Sequence, residues 1–298
     1  MSVSNGKKTD MKNFTGFLVM IMTFATVSVL AQSRAYQVKV TGKGSPLLFI
    51  PHIGCSGDMW QDAVKELSKT HECHVFYLAG FAGVAPLDSN YTQQYKNAIN
   101  DYIQIKKLKD PTVIGMNYGG FIALQLAAEP TRIARLIVID TYPFLAQILN
   151  PAITQDQANV FAGNIKTAYI GPDKSAFHAM MYQLGKNMIT HDTLKAKLYA
   201  DWNVASDRKT IATALSDQMA TDLRPILPAI KIPVLCFGTW YFGKTMKNMP
   251  IEEGYTMHNN FYAALSDHAV KLTETAKDFI HWDDSQWFIK EVSQFVQK

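Results

Sequence analysis

The stretch from Thr112 to Glu129, TVIGMNYGGFIALQLAAE, joins a short continuous apolar run to a helix-forming run through Gly115, Asn117, Gly119 and Gly120. Small residues on either side of position 117 let a strand and the following helix approach closely, so the stretch reads as strand, sharp turn and helix. The residue at the point of such a turn has strained backbone geometry, commonly with positive φ. Asparagine tolerates that conformation better than most non-glycine residues. A buried strand leading through a sharp turn into a helix, repeated along a chain, restricts the fold to a parallel sheet covered by helices.

The rest of the chain follows that rhythm. Tyr36 to Val40 and Leu47 to Ile50 read as strands separated by a glycine-rich turn, Met59 to Lys69 as a helix, and His74 to Leu78 as a strand. Tyr91, Tyr95, Ala98, Tyr102 and Ile105 recur at helical spacing between Tyr91 and Leu108. Thr112 to Met116 and Leu136 to Ile139 are short apolar runs flanking a helix, the pattern of strands buried on both faces. After Asp140 the alternation breaks. From Phe144 to about Leu227 the chain is helical in pattern with no buried strand, and β character resumes at Ile232 to Phe237. An insertion of that size predicts a helical cap, residues 144–227, over the carboxyl ends of the strands of a core formed by 32–143 and 228–298. Val270 to Thr273 and Ser285 to Val296 complete the core as a strand and a closing helix.

The first 31 residues have a separate logic. Lys7, Lys8 and Lys12 precede an apolar stretch from Phe14 to Ala31 that carries no charge, and Val29 and Ala31 stand just before Gln32. This is the layout of a signal peptide (1–31) cleaved after Ala31, which places the protein outside the cytoplasm, periplasmic or secreted. The alternative is a signal anchor, since the stretch reaches the lower limit of a spanning length. Cleavage removes three lysines and one aspartate and takes the formal charge from +4 to +2. The mature protein then has no stable membrane insertion. Lysine and arginine are scattered without a basic stripe, which gives no support to nucleic-acid binding. The three cysteines are too few for a disulfide framework. Cys55 and Cys73 could pair, and Cys236 reads as a small buried hydrophobe. The eight histidines form no ligand-spaced cluster, so neither a metal nor another cofactor is expected.

Six segments carry a resemblance: IPHIGCSGDMW (50–60), AGFAG (79–83), GMNYGG (115–120), VIDTYPF (138–144), TDLRPILPAIKIPVLCFGTW (221–240) and KDFIHWDDSQWF (277–288). From Lys39 onward the chain resembles the α/β-hydrolase superfamily, in particular exported or bacterial members. In those the elbow reads roughly GHSxGG, an early loop roughly PGxxSSG, and the C-terminal part KHF followed by an acidic pair and WF. The resemblance implies an α/β-hydrolase fold with a mostly parallel, doubly wound sheet and a helical cap.

It also implies where the chemistry would sit. The nucleophilic serine falls on Asn117 and the catalytic histidine on Asp278, while the histidine before the nucleophile has become Met116. The acid falls on Asp140, whose other reading is a turn cap at the start of the insertion. Oxyanion donors fall on the backbone N–H of Tyr118 and of Ile53 or Gly54, with His52 beside them as a loop residue. His281, three residues past Asp278, is a weak candidate for a replacement base. Serine-hydrolase chemistry needs a hydroxyl that attacks and an imidazole that takes its proton, and neither position supplies one. The expectation is a degenerate triad in a protein that binds a small apolar or acyl-containing molecule. The alternatives are an ester or acyl hydrolase using an altered mechanism, and a protein-binding module.

Overall fold

The computed structural model of the chain describes Met1 and residues 34–148 and 150–297; the signal segment lies outside the described residues. Seven strands are described: β1 (Tyr36–Gly42), β2 (Ser45–Ile50), β3 (His71–Leu78), β4 (Thr112–Met116), β5 (Arg135–Ile139), β6 (Val234–Thr239) and β7 (His268–Thr273). They form one sheet in the order β1-β3-β2-β4-β5-β6-β7. Only the edge strand β1 runs antiparallel, against β3. All five residues of β4 are buried, as are the last four of β5, which is why their sequences are unbroken apolar runs.

Helices cover both faces of this sheet. Before β5 they are α1 (Gln61–Leu67), α2 (Tyr91–Ile105) and α3 (Tyr118–Ala127). Between β5 and β6 lie α4 (Gln155–Ile170), α5 (Lys174–Leu184), α6 (Thr193–Ala205) and α7 (Arg208–Ala220), with a π turn at Gly185–Ile189. After β6 come α8 (Tyr241–Lys247), α9 (Ile251–Phe261), α10 (Ile280–Asp283) and α11 (Ser285–Val296). The four helices between β5 and β6 each start on a side chain that caps a free amide. Thr154 forms a capping box with Gln157, and Asp173, Asp192 and Asp207 accept from Ala176, Leu194 and Thr210 respectively.

Several boundaries differ from the sequence pattern. The segment beginning at Met59 is a short 3-10 turn followed by α1, because Ser56 caps the amide of Asp58 and sets a separate start. Helix α2 ends at Ile105, and that residue is 77% exposed even though it keeps the apolar spacing. Helices α8 and α9 fill a stretch for which the sequence pattern makes no assignment. The three cysteines are free, each buried at a separate place, so Cys55 and Cys73 do not pair. No helix among the described residues is long and apolar enough to cross a membrane.

Candidate active site

The turn between β4 and α3 explains its own glycines. A Cβ on Gly115 would stand 2.4 Å from the Gly119 carbonyl oxygen, and one on Gly119 would stand 2.4 Å from that of Ile50. On Gly120 it would meet Thr141 Oγ1 at 2.0 Å. Helix α3 is thereby held against β2 and β5 at van der Waals distance. Asn117 takes φ 48° and ψ −108°, and its amide donates to the Ile139 carbonyl at 2.8 Å. The side chain therefore stands at the carboxyl edge of the sheet on a strained turn.

Asp140 lies at the end of the neighbouring strand β5 and also has positive φ, 44°. Its amide donates to the Phe237 carbonyl on β6 at 2.9 Å, and its own carbonyl accepts from Asn117 Nδ2 at 3.5 Å. Its carboxyl group hydrogen-bonds with Tyr142 and Asn117. Burial raises that carboxyl to about 6, and those two hydrogen bonds pull back against the rise. Asp278 approaches from the loop after β7. Burial pushes its carboxyl well above the ordinary aspartate value; the charges of Asp140 and then Asp283 raise it further, while Lys277 lowers it. Tyr142 feels both Asp140 and Asp278. Asn117 and Asp140 thus meet at the carboxyl edge of the sheet, with Tyr142 and Asp278 within electrostatic reach of Asp140. The Asp140 charge, acting on Asp278 in a buried region, favours the protonated form of the Asp278 carboxyl.

The opposite wall is the loop after β2. Gly54 has φ +68°, and Cys55 N–H donates back to the His52 carbonyl at 3.1 Å, which makes a tight turn around Ile53 and Gly54. Tyr118 opens α3, and its amide is one of the first-turn donors with no acceptor in its own helix. His52 is buried, with Nδ1 2.8 Å from the Ile53 carbonyl oxygen and its ring against Tyr199 and Phe279. Burial lowers it to about 4, so it is neutral.

His281 is not brought to this cluster. Its ring packs on Trp60, 4.5 Å between centroids, and its Nε2 faces the Met59 carbonyl at 3.1 Å. Burial lowers it to about 3. The reason lies two residues earlier, where Phe279 N–H donates to the Ile189 carbonyl at 2.9 Å and the Phe279 and Ile280 side chains are fully buried, fixing the loop. Tyr142 and Tyr199 are site residues that the sequence reading missed. Tyr142 stands two residues beyond Asp140 in the quoted VIDTYPF segment, but no motif marks it. Tyr199 lies on α6 and only tertiary packing takes it to Asp278. No group of three or more His, Cys, Asp or Glu residues that could hold a metal is found among the described residues.

Known proteins share this fold. The family model for the alpha/beta hydrolase fold matches residues 45–236, and the chain belongs to that family. Among solved structures, an esterase from Exiguobacterium antarcticum superposes with a TM-score of 0.69 at 20% identity, covering 89% of this chain and 98% of its own. The enol-lactonase from Burkholderia xenovorans LB400 gives 0.68 at 18%, covering 89% and 99%. A hydrolase from Pseudomonas aeruginosa PA01 gives 0.70 at 17%, covering 90% and 97%. At these identities the likeness concerns the fold. No curated protein matches the chain.

Proposed function

We propose that this α/β-hydrolase-fold protein does not carry out serine-hydrolase chemistry and that it binds a small, largely apolar, carbonyl-containing molecule at the elbow. The observation that carries the reading is Asn117 at the elbow with a carboxyl pair, Asp140 and Asp278, where an acid and an imidazole would be needed. An amide does not attack carbonyl carbon, and His52 and His281 are both engaged with backbone carbonyls. The backbone donors of Tyr118 and of the Ile53–Gly54 turn do not depend on the missing side chains, which leaves a place for a carbonyl oxygen. In this reading residues 144–227 cap the elbow. Residues 1–31 are an export signal, so native protein is expected to have the mass of a chain starting at or near Gln32; a full-length cytoplasmic species as the main form would refute export.

The chemical test is a four-member series: the unaltered protein, Asn117→Ser, Asp278→His and the double variant, assayed with aryl esters and a fluorophosphonate probe. The first three should give background turnover and no labelling. The double variant should exceed background by about tenfold or more, because nucleophile and base act as a unit. A second reading rests on the two buried carboxyls, Asp140 and Asp278, both raised above the ordinary aspartate value, as a general acid-base pair for water attack on an ester or acyl substrate. Its signature is turnover by the unaltered protein that disappears in Asp278→Asn without any covalent labelling.

A further inference from the structure

An asparagine side chain can be lost to its own backbone. The main-chain nitrogen of the next residue closes on the carboxamide carbon in a five-membered ring, and closure requires that nitrogen to stand nearly eclipsed with Cβ. Substituents on Cα are spaced by about 120° around the Cα–C bond, so for an L residue eclipse falls at ψ of about −120°. A helix, with ψ of about −42°, and a strand, at about +135°, both hold the nitrogen far from that position. Asn117 has ψ −108°, within about 15° of eclipse. The elbow therefore holds the Tyr118 nitrogen where ring closure needs it.

The surroundings favour the same step. Tyr118 N–H opens α3 and has no acceptor within that helix. As that nitrogen gives up its proton, charge moves onto the Asn117 carbonyl oxygen, which accepts from Phe121 N–H at 2.9 Å and from Thr141 Oγ1 at 3.4 Å. The Asp140 carboxyl hydrogen-bonds with the Asn117 side chain. Burial raises that carboxyl to about 6, so near neutral pH it can pass a proton to a departing nitrogen. Asn117 is half-buried between the fully buried Met116 and Tyr118, which leaves it open to water. Asn90 provides the contrast. It too is followed by a tyrosine and it is exposed, but with φ 51° and ψ 42° its backbone is far from eclipse.

We propose that Asn117 is a self-modification site, at which the Tyr118 nitrogen closes on the Asn117 carboxamide and water then opens the ring to leave an aspartate at the elbow. In the first step the N–Cγ bond forms, the Cγ–Nδ2 bond breaks, and ammonia leaves with the proton of the Tyr118 N–H. In the second, water adds at Cγ and the N–Cγ bond breaks. The hydroxyl stays on Cγ, the other hydrogen returns to the Tyr118 nitrogen, and the peptide bond is intact. Water is the only co-reactant. An amide donates and accepts hydrogen bonds, whereas an ionised carboxylate only accepts. The group that the elbow offers thus changes once and irreversibly. Ring closure needs no bound molecule, so it stands apart from the proposed binding role.

Peptide mapping by mass spectrometry tests this on the purified folded protein, kept at mildly alkaline pH with and without hydroxylamine. The Asn117 peptide should gain about 1 Da, by way of a species about 17 Da lighter than the parent that hydroxylamine traps. Conversion at Asn117 should outrun that at Asn90 by about tenfold or more in the folded protein, and the two rates should converge in guanidinium, where only the shared Asn-Tyr sequence remains. No conversion at Asn117, equal rates at the two asparagines in the folded protein, or an advantage of Asn117 that survives unfolding overturns the inference. So does formation of the acid with neither the lighter species nor a hydroxylamine adduct, since that would be direct hydrolysis of the amide. Fluorophosphonate labelling of the unaltered protein would instead sink the proposed function and leave ring closure untouched.

Discussion

Asp140 is the residue whose environment says most about the site. Its carboxyl, at about 6, lies above the ordinary aspartate value because burial penalises the ionised form. The folded state therefore holds a proton that the unfolded chain releases between roughly pH 4 and pH 6, and stability falls as pH rises through that window. Asp140→Asn removes the titration and should stabilise the protein at pH 7, relative to pH 4, by about 3 kcal/mol. Denaturant titrations of both proteins at the two pH values give the difference directly; an equal pH dependence would place the carboxyl in ordinary solvent. His52 and His258 act in the opposite sense, since burial lowers both to about 4. Their contribution is present above about pH 6.5 and is lost as pH falls through 4. Comparison of the variant with the parent cancels them.

At the scale of elements, the loop that carries Asp278 is tied to the helices between β5 and β6. Asp278 and Phe279 donate their amides to the carbonyls of Met188 and Ile189, at 3.1 and 2.9 Å. Lys277 places its ammonium on the Lys186 carbonyl. Asp283, nearly buried, accepts from Thr190 Oγ1 at 2.5 Å and from the amides of His191 and Lys277, each at 3.1 Å. This clasp joins the π turn to α10, so the position of Asp278 depends on the insertion as well as on the sheet. Asp283→Asn keeps the shape but weakens three charge-assisted bonds, and should cost about 1–3 kcal/mol. Hydrogen exchange should quicken at 186–191 and 275–283 and remain slow in β4 and β5. Uniform quickening across the sheet would show that the clasp is part of the global fold and not a local tie.

For the whole molecule, the apolar interior divides unequally. One large cluster runs from Ala35 to Val292 and includes Phe177, Met181 and Tyr199 from α5 and α6. A second, small one holds Phe144, Leu145, Ala146, Ile153, Ala158, Ala162 and Met219 beneath α4 and the end of α7. A unit with so little buried surface opens at lower free energy than the sheet. Phe144 is 2% exposed and has the Arg224 guanidinium 5.1 Å from its ring centroid. Phe144→Ala should cost about 3–5 kcal/mol locally. Native-state exchange should show that loss in α4 and at the end of α7, while protection of β4 and β5 is kept. Equal loss in both regions would make the two clusters one cooperative unit.

The parallel sheet was legible in the sequence because strands buried on both faces need unbroken apolar runs, as Thr112 to Met116 and Leu136 to Ile139 show. The elbow was legible because only glycine fits at 115, 119 and 120, and the absence of a hydroxyl at 117 follows from the residue itself. What surrounds Asn117 depended on contacts between residues far apart in the chain. Asp278 feels the charge of Asp140 across a sequence separation that no spacing rule covers, and that influence arises only when burial removes water from both. Tyr142 and Tyr199 look ordinary in sequence: Tyr142 stands in the quoted VIDTYPF segment without being marked by it, and Tyr199 lies in a stretch with no motif. His281 was compatible in sequence with a base, and packing against Trp60 and the Met59 carbonyl made it a core residue. Local pattern encodes which atoms a turn can hold, because sterics act between neighbours. Charge, pairing and occlusion depend on what the fold brings alongside.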